Sequence, residues 1–126
     1  MKTPHPARRR AGFALFDLVV VASFVIIGRD THNESQGIGE VVQTAAPFLL
    51  ALAGAWITPL VHRTPWRLGS GLAVGVTTTA AGLFFRSVVF GEGISGAFPI
   101  VAAAYLIGLM AAGRVAGALR RRHATG

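Results

Sequence analysis

The chain has 126 residues, of which 52% are hydrophobic and only 13% are charged, and its mean hydropathy is +0.57. These values are unusual for a soluble domain of this length and favour one small membrane domain. Cysteine is absent from the sequence. Disulfides, thiolate zinc sites, iron–sulfur clusters and cysteine nucleophiles are therefore excluded.

The formal net charge of +7 could indicate a nucleic-acid-binding protein, but the placement of the basic residues favours another partner. They gather at the ends of apolar runs, as "ARRR" at residues 7–10 and "RRRH" at residues 120–123. Such placement is typical of chains that contact lipid headgroups. We therefore expect the lipid bilayer as partner, with anionic headgroups at the basic tails, and no nucleic acid.

Four apolar runs approach or exceed the roughly 20 residues that a bilayer core requires. They cover residues 13–28, 41–61, 68–90 and 97–119. The sequence thus predicts an all-α integral membrane protein, a bundle of four transmembrane helices over residues 13–119. A basic N-terminal tail of residues 1–12 precedes the bundle, and a basic C-terminal tail of residues 120–126 follows it.

The first run also has features of a signal peptide, because it is short and follows the arginines of residues 8–10. The same arginines are typical of a twin-arginine export signal. However, Asp17 interrupts the run, and no clear small-residue cleavage site precedes Gly28. Both features favour a retained transmembrane helix.

The distribution of Lys and Arg predicts the orientation of the helices. Most basic residues flank the start of the first run, the connection between the second and third runs, and the end of the fourth: Lys2, Arg8, Arg9, Arg10, Arg63, Arg67, Arg120, Arg121 and Arg122. The other two connections carry only Arg29. This asymmetry predicts a multi-pass protein of the plasma membrane with both termini in the cytoplasm, and it argues against dual topology.

The connection at residues 29–40, "RDTHNESQGIGE", is the only extended polar segment between the runs. Its "NES" at residues 33–35 matches the N-glycosylation pattern, which is common by chance. Asp30, His32 and Glu34 could bind a metal if all three faced one way, whereas a solvated cap over the helix end needs no such arrangement. We favour the cap, because metal sites usually have more ligands and a supporting shell. We expect no metal and no cofactor.

Ionisable residues inside the apolar runs give the sharpest signal, because each costs about 2.5 to 3.5 kcal/mol at a helix centre. Asp17 in the first run and Arg114 in the fourth both lie roughly 7 Å inside the same membrane boundary, and Trp56 lies at a similar depth. We predict that Asp17 and Arg114 pair in an inner polar layer. The Trp56 indole N–H is either a third member of this layer or an interfacial belt residue.

Arg86 lies toward the opposite boundary, where no acid is buried at its depth. Pro47 cannot donate a backbone hydrogen bond, so the Gln43 carbonyl is freed at about the same depth as Arg86. Arg86 could bind this carbonyl, or it could extend to the headgroups instead. The predicted outer polar layer consists of Arg29, His32, Gln43, Thr44, Pro47 and Arg86.

Small residues at helical spacing predict close helix packing. They are Gly71, Gly75, Thr78 and Gly82 in the third run and Ala104, Gly108, Ala111 and Ala112 in the fourth, and the G-x-x-x-G pattern occurs at residues 71–75 and 113–117. Spacing alone does not separate packing within one chain from a homo-oligomer. Packing within the chain is the default interpretation.

A combination of residues spread over all four runs matches the pattern of a known family. It consists of Asp17, "IGR" at residues 27–29 followed by His32, "TAAPF" at residues 44–48, Gly54 with Trp56, Arg86 and Arg114. In this respect the chain resembles the small four-span prokaryotic membrane proteins of domain of unknown function family 3054. That family tends to show Thr-Ala-Trp-Pro-Phe where this chain has Ala46 in place of tryptophan. The resemblance covers nearly the whole chain between the tails, and it implies a four-helix membrane bundle without an established activity.

Two classes of function agree with the sequence. In a structural or accessory membrane subunit, the buried charges would fix the register of the helices; in a small oligomeric permease or channel-like protein, they would line a path for a small solute or protons. An acidic residue on a transport path usually stays unpaired so that it can bind a cation. Asp17 instead has an arginine, Arg114, at the same depth, and this favours the structural class. An enzyme is least expected, since no nucleophile–base pair, phosphate loop or metal cluster is recognisable and His32 lies on the opposite side from His5, His62 and His123.

Overall fold

The computed structural model describes residues 6–31, 37–89 and 98–125, and the described part of the chain is helical throughout its regular elements. The helices are α1 (Pro6–Thr31), α2 (Ile38–Ile57), α3 (Pro59–Arg63), α4 (Leu68–Phe84) and α5 (Phe98–Thr125), with a π-helical segment (Phe85–Val89) that continues α4. Four of these helical stretches are long and apolar enough to cross a membrane. The predicted fold class, a membrane bundle of four helices, is confirmed.

The first and last helices extend beyond the apolar runs into the basic tails. Helix α1 begins at Pro6 and α5 continues to Thr125, so both arginine clusters lie on helices. Proline is favoured at the first position of a helix, where its missing N–H costs nothing, and Ala and Arg are strong helix formers. The hydropathy pattern predicts where each helix enters the hydrocarbon core, but both helices continue beyond that boundary into the basic tails.

The second predicted run extends to residue 61, but α2 ends at Ile57. Thr58 is extended, with φ −66° and ψ 141°, and Pro59 begins the short helix α3. A residue that precedes proline is sterically disfavoured in the helical region, which explains the break. The Thr58 hydroxyl donates a hydrogen bond of 2.6 Å to the Ala55 carbonyl at this helix end. The break allows the chain to turn before α4.

The long helices pack in a closed arrangement, in which α4 contacts α2 and α5 and α1 contacts the same two helices. Glycines allow the closest approaches. A Cβ atom at Gly75 would lie only 2.7 Å from the Ile107 Cα atom, and one at Gly82 would overlap the Phe48 ring. The glycine face of α4 thus packs inside this chain. By contrast, Gly108 on α5 has nothing within 4 Å of a Cβ position.

An aromatic layer, formed by Phe24, Phe48 and Tyr105, joins α1, α2 and α5. The ring centroids of Phe24 lie 5.5 Å from those of both Phe48 and Tyr105. The Ser23 hydroxyl lies 2.7 Å from the Tyr105 hydroxyl and donates a hydrogen bond of 2.9 Å to the Val20 carbonyl. Since Ser23 has one hydroxyl proton, Tyr105 is the donor toward Ser23.

Candidate functional site

The inner polar layer centres on an ion pair between Asp17 of α1 and Arg114 of α5, both 0% exposed. The guanidinium binds the carboxylate in a bidentate manner, with Nη1 donating to Oδ1 and Nη2 donating to Oδ2 at 2.8 Å. Such fork-to-fork pairs are the strongest charge-assisted hydrogen bonds between side chains. Residues 97 positions apart in sequence are therefore fixed to each other inside the bundle.

Trp56 is the third member of this layer rather than an isolated belt residue. Its indole Nε1 donates a hydrogen bond of 2.9 Å to Asp17 Oδ2, so α2 is attached to the same carboxylate. Asp17 Oδ2 thereby accepts from both Trp56 and Arg114. The depth argument places these three side chains together, and the structure shows them in contact.

The connection between α3 and α4 supplies a further partner. Arg114 Nε donates a hydrogen bond of 2.8 Å to the carbonyl oxygen of the buried residue Pro65. The buried Ser70 hydroxyl, in the first turn of α4, lies 3.0 Å from the Leu60 carbonyl and 2.6 Å from the Thr64 carbonyl. Through these bonds the connection is held against both α4 and α5.

The Arg114 side chain also lies against a ring of α1 and against the backbone of α4. The Arg114 Cζ atom lies 5.0 Å from the centroid of the Phe13 ring. At Gly71 of α4, a Cβ atom would lie 2.9 Å from Arg114 Cδ and 3.0 Å from the Met110 carbonyl oxygen. A larger residue at position 71 would therefore displace the arginine or separate the two helices.

The chemistry of this layer is that of a closed, neutral pair. Each nitrogen of the Arg114 guanidinium donates to a protein oxygen, and both carboxylate oxygens of Asp17 accept. Breaking such a pair strands a charge in a medium of low dielectric constant. The geometry suits the fixing of helix register, and the carboxylate has no exposed surface at which a solute could bind.

The members of the outer polar layer are only partly described. Pro47 is buried in α2, Gln43 is exposed, and the Thr44 hydroxyl donates to the Glu40 carbonyl at 3.0 Å within the same helix. Arg86 is half-buried in the π-helical segment. Its predicted bond to the Gln43 carbonyl stays a prediction. Arg29 lies in the last turn of α1, and His32 lies outside the described residues.

The motifs of the connection at residues 29–40 lie mostly outside the residues that the structure describes. The "NES" pattern and two members of the Asp30, His32 and Glu34 set fall outside the described residues. Within the described ranges, no group of three or more His, Cys, Asp or Glu residues could hold a metal ion. His62 is exposed on α3.

Two residues of the structure around Arg114, Pro65 and Ser70, carry no recognisable signal in the sequence. Pro65 acts through its backbone carbonyl, which every residue possesses. Ser70 lies within "LGSG", where a serine would be interpreted as one more small residue of a packing face. Gly71 does belong to the predicted small-residue pattern, and its contact with Arg114 could have been proposed from depth on α4 and α5.

Comparison with known proteins supports one assignment. The family described as "Protein of unknown function (DUF3054)" matches residues 14–117. Comparison with curated proteins and with solved structures gave no match. The matched range contains all three residues of the inner polar layer, and the chain belongs to the DUF3054 family of proteins of unknown function.

Proposed function

We propose that the protein is a structural or accessory subunit of the plasma membrane, with both termini in the cytoplasm, and that its inner polar layer fixes the register of the helices. The support for the orientation is the concentration of arginines at one end of the bundle. We propose lipid as its principal partner and no catalytic role. A homo-oligomer is compatible with this proposal.

The observation that carries the proposal is the closure of the inner polar layer. Asp17 and Arg114 are both fully buried, neutralise each other and bind Trp56 and the Pro65 carbonyl. An acid that serves a proton or cation path must become accessible and exchange its partner. Here the carboxylate is enclosed by two other helices, which favours a structural role.

A proton-flux assay separates this proposal from the permease alternative. Wild-type protein and the Asp17→Asn variant would be reconstituted in liposomes that contain a pH-sensitive dye, and a membrane potential would be imposed. We expect the wild-type proton flux to equal that of protein-free liposomes, and Asp17→Asn to lower the melting temperature. Glu40→Gln is the matched control, because it removes an exposed carboxylate outside the inner polar layer.

The permease alternative predicts a different pattern. Wild-type flux would exceed the protein-free background, Asp17→Asn would abolish the excess, and Glu40→Gln would retain it. This result would overturn the structural role. A small-solute screen in the same liposomes extends the comparison to uncharged and cationic substrates.

A further inference from the structure

The three consecutive arginines at the start of α1 have different surroundings. Because α1 begins at Pro6, the three side chains leave one helix at steps of about 100°. Arg8 is exposed, whereas Arg9 and Arg10 are half-buried. Arg9 and Arg10 therefore lie partly against the rest of the protein, and Arg8 projects from nearly the opposite side of α1 to Arg10.

Trp66, in the connection between α3 and α4, holds Arg9 in place. The Arg9 Cζ atom lies 4.1 Å from the centroid of the Trp66 ring, within the range of a cation–π interaction. The connection is itself fixed, because the carbonyl of Pro65, the preceding residue, binds Arg114. Among the described residues, no oxygen accepts a hydrogen bond from Arg9. Its N–H groups are thus available to an anion.

Arg10 carries a donor that the protein does not satisfy. Its Nε atom is buried, and no described residue accepts its hydrogen. An unmade hydrogen bond is most costly when the donor belongs to a charged group, so an acceptor at this position would be stabilising. The side chain as a whole is only half-buried, and its guanidinium can be approached from the surface.

No acidic residue near this end of the chain compensates Arg9 and Arg10. Asp17 already pairs with Arg114, and Glu40 lies in the first turn of α2, at the opposite end of that helix. Asp and Glu are absent from the three segments at this end, which are residues 1–12, 58–67 and 115–126. Two adjacent cations without a protein acceptor favour an anion that binds both of them.

The depth of the two arginines favours a phospholipid as this anion. Arg10 and Arg9 precede Asp17 by seven and eight residues, which corresponds to roughly 11 to 12 Å along the helix axis. If Asp17 lies roughly 7 Å inside the hydrocarbon boundary, the two arginines lie roughly 4 to 5 Å outside it. This is the level of the headgroups, whose layer is about 5 to 7 Å thick on each side of the hydrocarbon core. Trp66 agrees with this level, because tryptophan is enriched at the membrane interface.

We propose that Arg9 and Arg10 bind the phosphate group of an anionic phospholipid. The two guanidiniums donate to the phosphate oxygens, which their planar forks match in geometry, and Trp66 keeps Arg9 in position. The exposed side chains of Leu15 and Leu18, further along α1 toward the membrane interior, offer a surface for the acyl chains. The site deepens the proposal that lipid is the principal partner. A permease would contain it equally well, so this proposal and the structural role can fail independently.

Native mass spectrometry of the detergent-solubilised protein tests the site, with phosphatidylglycerol as the probe and phosphatidylcholine as the neutral comparison. The site variants are Arg9→Gln and Arg10→Gln. The matched control is Arg8→Gln, which removes an equal charge from an exposed position on the same turn of α1. A fourth variant, Trp66→Leu, leaves every charge in place.

We expect phosphatidylglycerol to bind about thirtyfold more weakly to each site variant, because a charge-assisted hydrogen bond to the phosphate is lost. The Arg8→Gln control should lose less than about fivefold, since an exposed arginine contributes only diffuse attraction. Trp66→Leu should weaken binding by about fivefold, because Arg9 is then no longer held in position. Circular dichroism checks folding, and either site variant keeps the test available if the other does not fold.

Four results would overturn the proposal. Equal losses in Arg8→Gln and the site variants would show a diffuse basic tail. Equal affinity of the wild-type protein for the two lipids would show that the negative charge of the headgroup is not recognised. Competition by glycerol phosphate or inorganic phosphate at the concentration of the lipid would show an anion site without a lipid component. Unchanged binding to Trp66→Leu would show that Arg9 needs no support from the ring.

Discussion

The inner polar layer and the aromatic layer hold α1 in the bundle by different physical means. At the level of Asp17, charge-assisted hydrogen bonds attach α1 to α2 and α5. About two turns further along, Phe24 packs its ring against Phe48 and Tyr105 from the same two helices. The helices are the same, but one level depends on satisfied charges and the other on shape and apolar contact.

This difference determines how each layer responds to the loss of one partner. In the inner polar layer, a lost partner leaves a buried charge without compensation, and the cost is large because water cannot replace the bond. In the aromatic layer, a lost contact leaves a cavity or gap between apolar side chains, but it strands no charge and no polar group. The inner polar layer should therefore be the more sensitive of the two.

The largest effect is expected when the ion pair is broken. Asp17→Asn and Arg114→Gln should each lower the free energy of unfolding by about 3 to 5 kcal/mol, because each strands its partner. The double variant should be less destabilised than the sum of the two single variants, since it contains no uncompensated charge. Thermal melts of the four proteins in one detergent measure the coupling.

The outcome that contradicts the ion pair is strict additivity of the two single substitutions. Additivity would mean that each side chain makes its contribution independently, and the contrast between the two layers would then fail. Arg63→Gln serves as the control for charge removal, because Arg63 is exposed at the same end of the bundle. Its melting temperature should remain within the scatter of the wild type.

An intermediate effect is expected from Gly82→Ala on α4, where the glycine lies against the Phe48 ring of the aromatic layer. The added Cβ would overlap the buried Phe48 ring, which is already packed against Phe24, so the ring must move or α2 and α4 must separate. Overpacking of this kind costs about 1 to 3 kcal/mol. Gly108→Ala is the control on α5, where nothing lies within 4 Å of the new atom.

Gly108→Ala should leave stability unchanged or raise it slightly, since alanine is the better helix former. Melting curves of both variants in one detergent give the comparison. If Gly82→Ala were as stable as Gly108→Ala, the aromatic layer would be loosely packed. The close approach of α2 and α4 would then not depend on glycine.

The sequence predicts most of the inner polar layer because its members are costly in a membrane. Asp17 and Arg114 stand out as charges within apolar runs, and their depths differ little, so only a few pairings are possible. The same depth argument places Trp56 at this level but leaves open whether it joins the layer or is an interfacial belt residue, and only the structure shows its bond to Asp17. The Pro65 carbonyl could not be predicted, because a backbone acceptor has no sequence signature and its position depends on the turn after Thr58.

The helices too are predicted in part: the sequence predicts how many there are, but it does not predict all of their boundaries. Hydropathy predicts four spans, and the structure has them. It does not predict the break before Pro59, although the preference of a residue before proline for extended backbone is a local signal for it. The π-helical segment around Arg86 has no comparable signal in the sequence.

The smallest effect is expected from Tyr105→Phe, which removes the hydroxyl and leaves the ring in the aromatic layer. The Ser23 hydroxyl still donates to the Val20 carbonyl, so no buried donor is stranded. Hydrogen bonds between membrane helices average about 0.6 kcal/mol, and the melting temperature should fall by only a small amount. Ser23→Ala removes this bond together with the bond to the Val20 carbonyl and leaves the Tyr105 hydroxyl without its acceptor, so it should cost somewhat more than Tyr105→Phe. The double variant should cost little more than Ser23→Ala alone, because the bond between the two hydroxyls is already lost. A loss as large as that of Asp17→Asn would show that the aromatic layer also depends on a polar contact, and the two levels of α1 would then be held by the same physics.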